Sequence, residues 1–478
     1  MINNKEHKHT GSVYYLAALT AIAALGGFLF GFDTAVISGT TQMVREKFAL
    51  DAVSEGWFVS SALTGCILGV ATAGKVSDLF GRKKILALSG ILFLISAIGC
   101  AVSVSHVFLI TSRLIGGIGV GIASMLSPLY ISEISPPEKR GRLVSIYQFA
   151  ITIGILTAYF SNASILRLSE EILNTIPLIK WLFVDEIWRG MFAAEAIPAI
   201  IFLILLLFIP ESPRWLTKQN KSQKAHKILS NISGEEIAKK EISEIKETLN
   251  HDSGSIKQLF RTGFKTALII GILLAVLSQL SGINAIIYYG PKILNEAGFT
   301  LGEAFGGQVT IGIVNVLFTI VAIIYIDKFG RKPLLIFGVS GAVIALIGIG
   351  MLFFFDITEG YLLMSFILLY IACFAFSFGP VVWVIISEIY PTRIRGQAMS
   401  IAIFALWIGT ALVGQFVPIL LEIIKPAGTF WLFAILCFPA IFITWKLVPE
   451  TKGKSLEEIE KHWLKNKLKK TKTIRYES

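Results

Sequence analysis

Long runs of apolar residues alternate with short polar segments along almost the whole chain. Each run holds about 20 residues, the length that an α-helix needs to cross a bilayer. Backbone polar groups cannot stay unpaired in hydrocarbon, so each run is predicted to be a helix. The pattern therefore predicts an all-α membrane protein with about twelve transmembrane helices. The predicted spans lie near residues 13–39, 55–77, 85–104, 107–132, 143–165, 187–209, 264–290, 303–326, 333–355, 360–386, 397–424 and 428–448.

A polar segment divides the predicted spans into two sets of six, and four regions follow. They are an N-terminal six-helix bundle over 13–210, a linker over 211–262, a C-terminal six-helix bundle over 263–450 and a cytoplasmic tail over 451–478. The linker carries isoleucines at roughly helical spacing, which predicts short amphipathic helices on the cytoplasmic face. Residues 456–459 suggest one more surface helix in the tail. The linker isoleucines are Ile228, Ile232, Ile237, Ile242 and Ile245.

Three short sequence boxes occur once in each half of the chain, in the same order. Residues 78–84 (DLFGRKK) return as 327–333 (DKFGRKP), and residues 132–145 (SEISPPEKRGRLVS) return as 387–400 (SEIYPTRIRGQAMS). A weaker pair joins the Pro-Glu-Ser of 210–212 to the Pro-Glu-Thr of 449–451. Such recurrence is typical of a transporter built from parallel repeats. The two bundles are therefore predicted to be pseudo-symmetric.

The composition supports a membrane protein, since 54% of the residues are hydrophobic and 16% are charged, against about 25% charged in soluble domains. The net charge of +11 does not indicate nucleic-acid binding, because Lys and Arg cluster between the apolar runs. These clusters follow even-numbered spans, which places those loops and both termini in the cytoplasm. The four cysteines show no CxxC spacing, so we expect neither a disulfide framework nor a zinc site. No cleaved signal peptide is expected.

Charged residues inside the predicted spans are the sharpest functional signals, since each costs roughly 2.5–3.5 kcal/mol at mid-membrane. Asp33 lies in the first span, Arg113 in the fourth and Glu195 in the sixth. A nearby Arg favours the ionised carboxylate and an apolar cavity favours the protonated acid, so Asp33 is a candidate proton-coupling switch. The alternative is a permanent structural ion pair. Glu195 is either a second coupling group or a partnered structural carboxylate.

Uncharged polar side chains also cluster inside the spans. Gln279, Asn284 and Tyr288 surround Gly282, which is predicted to interrupt the seventh helix. Amides supply donors and acceptors without charge, and aromatic rings stack on C–H faces. The set suits a polyhydroxylated neutral ligand better than an anion, although each residue alone also fits an interhelical hydrogen bond. Its other members are Gln148, Asn315, Trp383 and Trp407.

Glycines are frequent where helices must approach closely. In the tenth span, Gly379 precedes Pro380, and this pair is predicted to break the helix beside a cavity. The other glycines of this kind are Gly26, Gly27, Gly31, Gly116, Gly117, Gly119 and Gly121.

Taken together, these motifs resemble those of the sugar porter family of the major facilitator superfamily, particularly its bacterial D-xylose:proton symporters and glucose transporters. The resemblance covers about residues 16–458. It implies alternating access, in which two bundles rock about a central sugar site. It implies no enzyme activity, cofactor or metal; the expected partners are a small neutral sugar, protons and the lipid bilayer, for a monomer in the cell membrane. The motifs that show the resemblance are residues 31–34, 78–84, 133–141, 210–214, 279–289, 327–331, 388–396 and 449–453.

The resemblance also implies roles for single residues. By position, Asp33 matches the acid that distinguishes the proton symporters, and Arg113 and Glu195 match its partners. The sugar-binding positions are Gln148, Gln279, Asn284 and Trp383, with Phe30, Tyr288, Asn315, Gly379 and Trp407 around them. The positions of a cytoplasmic gate network are Asp78, Arg82, Glu133, Arg140, Glu211, Asp327, Arg331, Glu388, Arg395 and Glu450.

Two positions depart from the family pattern. Ser278 stands where the family usually has Gln, and Leu406 stands where it has Gln or Asn. Each change removes a polar contact, so we expect a pentose or hexose preference that differs from the xylose carriers. The resemblance leaves a uniporter, or a polyol carrier such as one for inositol, as an alternative of the same fold. A membrane sugar sensor is a third reading, which the short segment after Trp445 disfavours.

Overall fold

The computed structural model describes residues 11–136, 139–171, 176–250, 264–358, 361–390, 395–454, 458–459 and 463. Over these residues it holds 12 helices, or pairs of helix segments, long and apolar enough to cross a membrane. The predicted all-α membrane fold is therefore confirmed. Spans 1 to 12 are Val13–Phe48, Ala52–Phe80, Arg82–Ala101, His106–Ile134, Arg140–Glu171, Ile187–Leu206, Phe264–Glu296, Leu301–Phe329, Arg331–Phe354, Tyr361–Glu388, Arg395–Ile423 and Lys425–Leu447.

The spans form two six-helix bundles, spans 1 to 6 and spans 7 to 12. Inside the first bundle, span 1 packs on span 5 and span 2 packs on span 4. Between the bundles, span 2 packs along span 11 and span 5 packs along span 8. Two short helical segments, Pro177–Lys180 and the π-helix Trp181–Asp185, connect spans 5 and 6.

Three spans are broken near their middle. Span 7 is divided into Phe264–Leu280 and Ile283–Glu296 by Gly282, whose φ is 86°, as predicted. Span 10 is divided into Tyr361–Phe376 and Phe378–Glu388, so its break lies before the predicted Gly-Pro pair. The reason is that a proline ring clashes with the carbonyl four residues before it, which for Pro380 is that of Phe376.

The break in span 6 was not predicted. Its segments are Ile187–Ala194 and Ala196–Leu206, with Glu195 between them. The same proline rule applies, because Pro198 lies four residues after Ala194. A carboxyl group at a helix break is placed beside backbone groups that the helix no longer satisfies.

The linker contains the predicted amphipathic helices, Pro213–Lys218, Ser222–Ser233 and Glu235–Asn250. Ile242 lies in their small apolar core, whereas Ile237 is 52% exposed. Residues 251–263 lie outside the described residues, as do residues 456–457 of the helix predicted over 456–459; residues 458–459 are helical. The exact division into four regions stays a prediction. The linker core consists of Leu216, Ala225, Leu229, Ala238 and Ile242.

Glycines allow backbone contact between spans inside the first bundle. A Cβ added at Gly117 of span 4 would lie 1.9 Å from the carbonyl oxygen of Ala62 in span 2. A Cβ added at Gly31 of span 1 would lie 2.0 Å from the carbonyl oxygen of Ile151 in span 5. Any larger residue would push these helices apart, so the predicted close packing is confirmed at both contacts.

Replacement of Gly117 by Ala is expected to lower the stability of the protein by about 1–3 kcal/mol, because the new methyl group overlaps the Ala62 carbonyl. The measurement is thermal unfolding of the purified protein in detergent, followed by tryptophan fluorescence. Gly306→Ala is the matched control, since no atom lies within 4 Å of its added Cβ and alanine has the higher helix propensity. Equal melting temperatures for both variants would contradict the packing argument.

Candidate functional site

A buried ion pair joins spans 1 and 4. Arg113 Nη1 donates a hydrogen bond of 2.7 Å to Asp33 Oδ1, and the two side chains are 3% and 5% exposed. Neither charge is solvated by bulk water, so each depends on the other for compensation. The structure thus brings together the two charged residues that the sequence singled out, 80 positions apart.

Glu195 lies beside this pair, at the break in span 6, and is 1% exposed. The charges of Asp33 and Arg113 both act on its carboxyl group. Among the described atoms, Glu195 Oε1 has no hydrogen-bond partner, and neither has Arg113 Nε. The guanidinium also lies 5.7 Å from the ring centre of Phe192. Arg113 therefore has a spare donor, and a second carboxyl group with a spare acceptor lies nearby.

One small, partly open pocket reaches both the ion pair and the aromatic residues that the sequence proposed as ligand contacts. The rings of Phe30 in span 1 and Trp407 in span 11 are 5.3 Å apart, so they close this cavity across the two bundles. Trp407 is 3% exposed and its Nε1 has no partner among the described atoms. The lining consists of Phe30, Asp33, Thr34, Ile37, Val59, Leu63, Cys66, Arg113, Val120, Tyr288 and Trp407.

The amide groups of span 7 form a small hydrogen-bonded cluster. Asn284 Nδ2 donates to Gln279 Oε1 at 2.7 Å, across the break at Gly282. Thr410 Oγ1 of span 11 lies 3.0 Å from the same oxygen, and Gln279 Nε2 donates to Ser278 Oγ at 3.1 Å. The side chain of Gln279 is thus held from three directions. The sequence reasoning missed Thr410, although it follows Trp407 by one helical turn.

The other predicted ligand residues lie on different elements and are half-buried. Gln148 is in span 5, Asn315 is in span 8, and Gly379 and Trp383 are in the second segment of span 10. A Cβ added at Gly379 would make only ordinary van der Waals contact, at 3.6 Å from the Phe374 carbonyl oxygen. In the described part of the chain, none of these four residues lines the small pocket beside Asp33.

The three repeated boxes meet at one place in the first bundle. Arg82 donates two bonds to Glu133, from Nε at 3.0 Å and from Nη2 at 3.1 Å, and a third to Asp78 at 2.8 Å. Glu211 accepts the backbone N–H of Arg82 at 2.8 Å and so caps the start of span 3. Ser212 Oγ donates to Glu133 at 2.5 Å. Each box therefore contributes one part of the network.

The second bundle repeats this network almost atom for atom. Arg331 donates to Glu388 from Nε at 3.1 Å and from Nη2 at 2.9 Å, and pairs with Asp327 at 2.9 Å. Glu450 accepts the backbone N–H of Arg331 at 3.1 Å, and Thr451 Oγ1 donates to Glu388 at 2.6 Å. The side-chain partners of Arg82 and Arg331 named here each lie in the same bundle as that arginine.

Glu450 shows how the capping carboxylates are held. Burial alone would raise its pKa, but hydrogen bonds from the backbone N–H groups of Lys452, Arg331 and Lys332 outweigh burial and hold the pKa of Glu450 below its usual value. The capping contact is therefore present at neutral pH and is lost only as the pH falls through this lowered value.

The two other predicted gate residues lie at the starts of spans 5 and 11. Arg140 Nε donates to the Ser132 carbonyl at 3.1 Å, whereas Arg395 begins span 11. Residues 137–138 and 391–394 of the same boxes lie outside the described residues.

Known proteins match this chain over almost its whole length. The family model described as "Sugar (and other) transporter" matches residues 19–463. The chain is 43% identical over 458 residues to the arabinose-proton symporter of Bacillus subtilis (strain 168), covering 95% of this chain and 96% of that protein. It is 40% identical over 481 positions to the D-xylose-proton symporter of Escherichia coli (strain K12), covering 94% and 96%.

Solved structures give the same picture. The inward open conformation of the xylose transporter XylE from E. coli matches with a TM-score of 0.80 and 38% identity, covering 94% of this chain and 100% of that one. Its partially occluded inward open conformation matches with a TM-score of 0.79 and 35% identity, covering 91% and 100%.

The two charge networks are expected to differ in strength. The Glu133 side chain is 4% exposed and that of Glu388 is 25% exposed. Glu133→Gln should lower the free energy of unfolding by about 3 kcal/mol, because it leaves the buried Arg82 guanidinium with only the 46% exposed Asp78 as an anionic partner. Glu388→Gln should cost about 1 kcal/mol, because water partly screens the pair.

Thermal unfolding of both variants in one detergent measures this difference. Glu236→Gln, an exposed carboxylate of the linker, is the control and should leave the melting temperature unchanged. A larger loss for Glu388→Gln than for Glu133→Gln would refute the ranking.

Proposed function

The chain belongs to the sugar transporter family, and from this membership we propose that it imports a neutral monosaccharide together with a proton. The most similar relatives named above are an arabinose and a xylose symporter, which supports a pentose or a hexose as the substrate. The observation that carries the proposal is the shared cavity, whose lining includes both the Asp33–Arg113 pair and the rings of Phe30, Tyr288 and Trp407. The proposed proton site and the proposed ligand site would thus be adjacent.

Asp33 is the proposed proton carrier. When the Asp33 carboxylate binds a proton, its attraction for Arg113 falls and the guanidinium needs another anionic partner. Glu195 is the proposed second partner, since its Oε1 and the Nε of Arg113 both lack hydrogen bonds among the described atoms. Proton binding at Asp33 would then loosen span 1 from span 4, and the bundles would rock to open the cavity to the other side.

The amide cluster is the proposed site of sugar recognition. Gln279 and Asn284 now bond to each other, and a sugar hydroxyl would replace that bond with equivalent ones. Trp383 and Trp407 supply flat apolar faces for the sugar ring. Gln148, Asn315 and Gly379 complete the proposed site, on spans that surround the amides. Ser278 and Leu406 offer the sugar fewer polar contacts than the Gln or Asn usual at these positions, and so they would alter the sugar preference.

The proposed orientation puts both termini and both repeated charge networks in the cytoplasm, because Lys and Arg concentrate in those loops. The opposite face, where spans 1 and 2 meet near Arg45 and Glu55, is then the outer face. The ten predicted gate residues, from Asp78 to Glu450, are proposed to act at the cytoplasmic face. The chain is proposed to work as a monomer in the cell membrane.

Asp33→Asn is expected to abolish sugar-driven alkalinisation of the medium, since an amide cannot carry the transported proton. Sugar exchange should survive, because Asn resembles the protonated acid in shape and charge. The measurements are pH recording in energised cells and counterflow in proteoliposomes, with L-arabinose, D-xylose and D-glucose as substrates.

Asp51→Asn is the matched control for this experiment. Asp51 caps the start of span 2 through a 2.9 Å bond from the Ser54 N–H, and Asn fulfils the same capping role. This variant should behave as wild type in both assays. Loss of exchange in a folded Asp33→Asn protein would assign Asp33 a structural role, and wild-type uptake that ignores a protonophore would indicate a uniporter.

Thr410→Val is expected to raise the KM for the sugar about fivefold, because it removes the hydroxyl that Gln279 Oε1 shares with the Leu406 carbonyl, a hydrogen bond of about 1 kcal/mol. Thr410→Ser retains the hydroxyl and should stay near the wild-type KM. Initial uptake rates across sugar concentrations measure both variants. In a Gln279→Ala background, Thr410→Val should have no further effect; additive losses would show that Thr410 does not act through Gln279.

A further inference from the structure

A chain of four charged side chains joins the two bundles at the outer face. Lys292 of span 7 lies 2.9 and 3.0 Å from the two carboxylate oxygens of Glu55 in span 2. Arg45 of span 1 binds the same carboxylate at 3.0 Å and reaches Glu422 of span 11 at 2.8 Å. This outer ionic chain, Lys292–Glu55–Arg45–Glu422, therefore crosses between the bundles twice.

Burial makes the central contact of this chain strong. The Glu55 side chain is 0% exposed and that of Lys292 is 13% exposed, whereas Arg45 and Glu422 are 31% and 49% exposed. A close charge pair with little water around it contributes more than an exposed pair, which water and salt screen. The Glu55–Lys292 pair is thus the dominant link, and Arg45–Glu422 is the weaker one.

Uncharged contacts also join spans 2 and 11 beneath the ionic chain, and they too exist only while the outer face is closed. Gln415 of span 11 accepts a hydrogen bond from Ser60 at 2.8 Å and donates one to the Val53 carbonyl at 3.0 Å. A Cβ added at Gly56 would lie 2.2 Å from the Gln415 carbonyl oxygen. Spans 2 and 11 are therefore in backbone contact directly below Glu55, and both sets of contacts must break when this face opens.

The charge networks at the other face behave differently. The named partners of Arg82 and Arg331 lie within one bundle each, so these pairs persist when the bundles move as rigid bodies. The outer ionic chain, by contrast, exists only while the outer face is closed. An interaction present in one of two states shifts the equilibrium by its own strength.

From this difference we propose that Glu55 and Lys292, supported by Arg45 and Glu422, form a latch that sets the balance between the outward-open and inward-open states. The latch holds the outer face closed, and its opening is the step that admits substrate from outside. The proposal rests on the alternating-access function proposed above, but the latch is measurable without any sugar.

The test is a pair of spin-label distances in lipid nanodiscs, recorded by double electron–electron resonance. Labels at Val53 and Ile423, which are 56% and 72% exposed, report the outer face. Labels at Phe80 and Phe329, 57% and 55% exposed, report the cytoplasmic face. The four native cysteines are buried and remain in place.

Lys292→Gln is the decisive variant. It leaves Glu55 paired with Arg45 at 3.0 Å, so no buried carboxylate is orphaned and the fold is expected to survive. The population with a long outer distance should rise at least roughly tenfold, at the lower end of couplings between close charge pairs across an interface. The cytoplasmic distance should shorten in the same molecules.

Two controls make the result specific. Lys292→Arg keeps the charge and should keep the wild-type distances. Lys47→Gln removes an ion pair with Glu186 inside the first bundle and should also leave them unchanged. Unchanged distances in Lys292→Gln, an equal shift in Lys292→Arg, or outer lengthening without cytoplasmic shortening would overturn the latch. Absence of sugar uptake by the wild type would instead refute the proposed function and leave these distances interpretable.

Discussion

The buried ion pair between Asp33 and Arg113 joins spans 1 and 4 inside the first bundle. Its two side chains are 5% and 3% exposed, so neither tolerates the loss of the other without a substitute. Any change in the protonation of Asp33 must therefore be answered by a movement of Arg113 or of the helices that carry both. Glu195, whose Oε1 lies at a helix break and has no hydrogen-bond partner among the described atoms, is the substitute partner that we propose.

Such a switch works only if each bundle is otherwise stiff. Gly117 against Ala62 and Gly31 against Ile151 bring spans into backbone contact inside the first bundle, and the Arg82–Glu133 network ties spans 2, 3 and 4 at one end. Close packing of this kind resists gradual deformation, so a local change of charge is passed on as movement of a whole bundle. Of the broken spans, span 7 contributes Tyr288 to the pocket that Asp33 and Arg113 also line.

The sequence predicts the helices well, because an apolar run long enough to cross a bilayer must pair its own backbone N–H and C=O groups, and an α-helix does so. It also identifies Asp33, Arg113 and Gln279, since polar groups in long apolar runs are rare. It does not predict which faces meet, because that depends on helix rotation and on contacts far apart in the chain. Thr410 beside Gln279 and Lys292 beside Glu55 were missed for this reason. The break in span 6 was readable from Pro198, but a proline near mid-span also fits a simple kink.

The ion pairs described here are of two kinds, those within one bundle and those between the bundles, and the two kinds have different effects. A pair within one bundle, such as Arg331 with Glu388, moves with that bundle and so holds it together in both states of a rocking molecule. A pair across the boundary, such as Glu55 with Lys292, contributes to one state and so acts on the equilibrium between them. The Asp33–Arg113 pair lies within the first bundle, so the proton that we propose to bind at Asp33 would act by changing how spans 1 and 4 are held together. Whether the molecule is open to the outside or to the cytoplasm would then depend on whether that change also breaks the contacts that spans 1 and 2 make with spans 7 and 11.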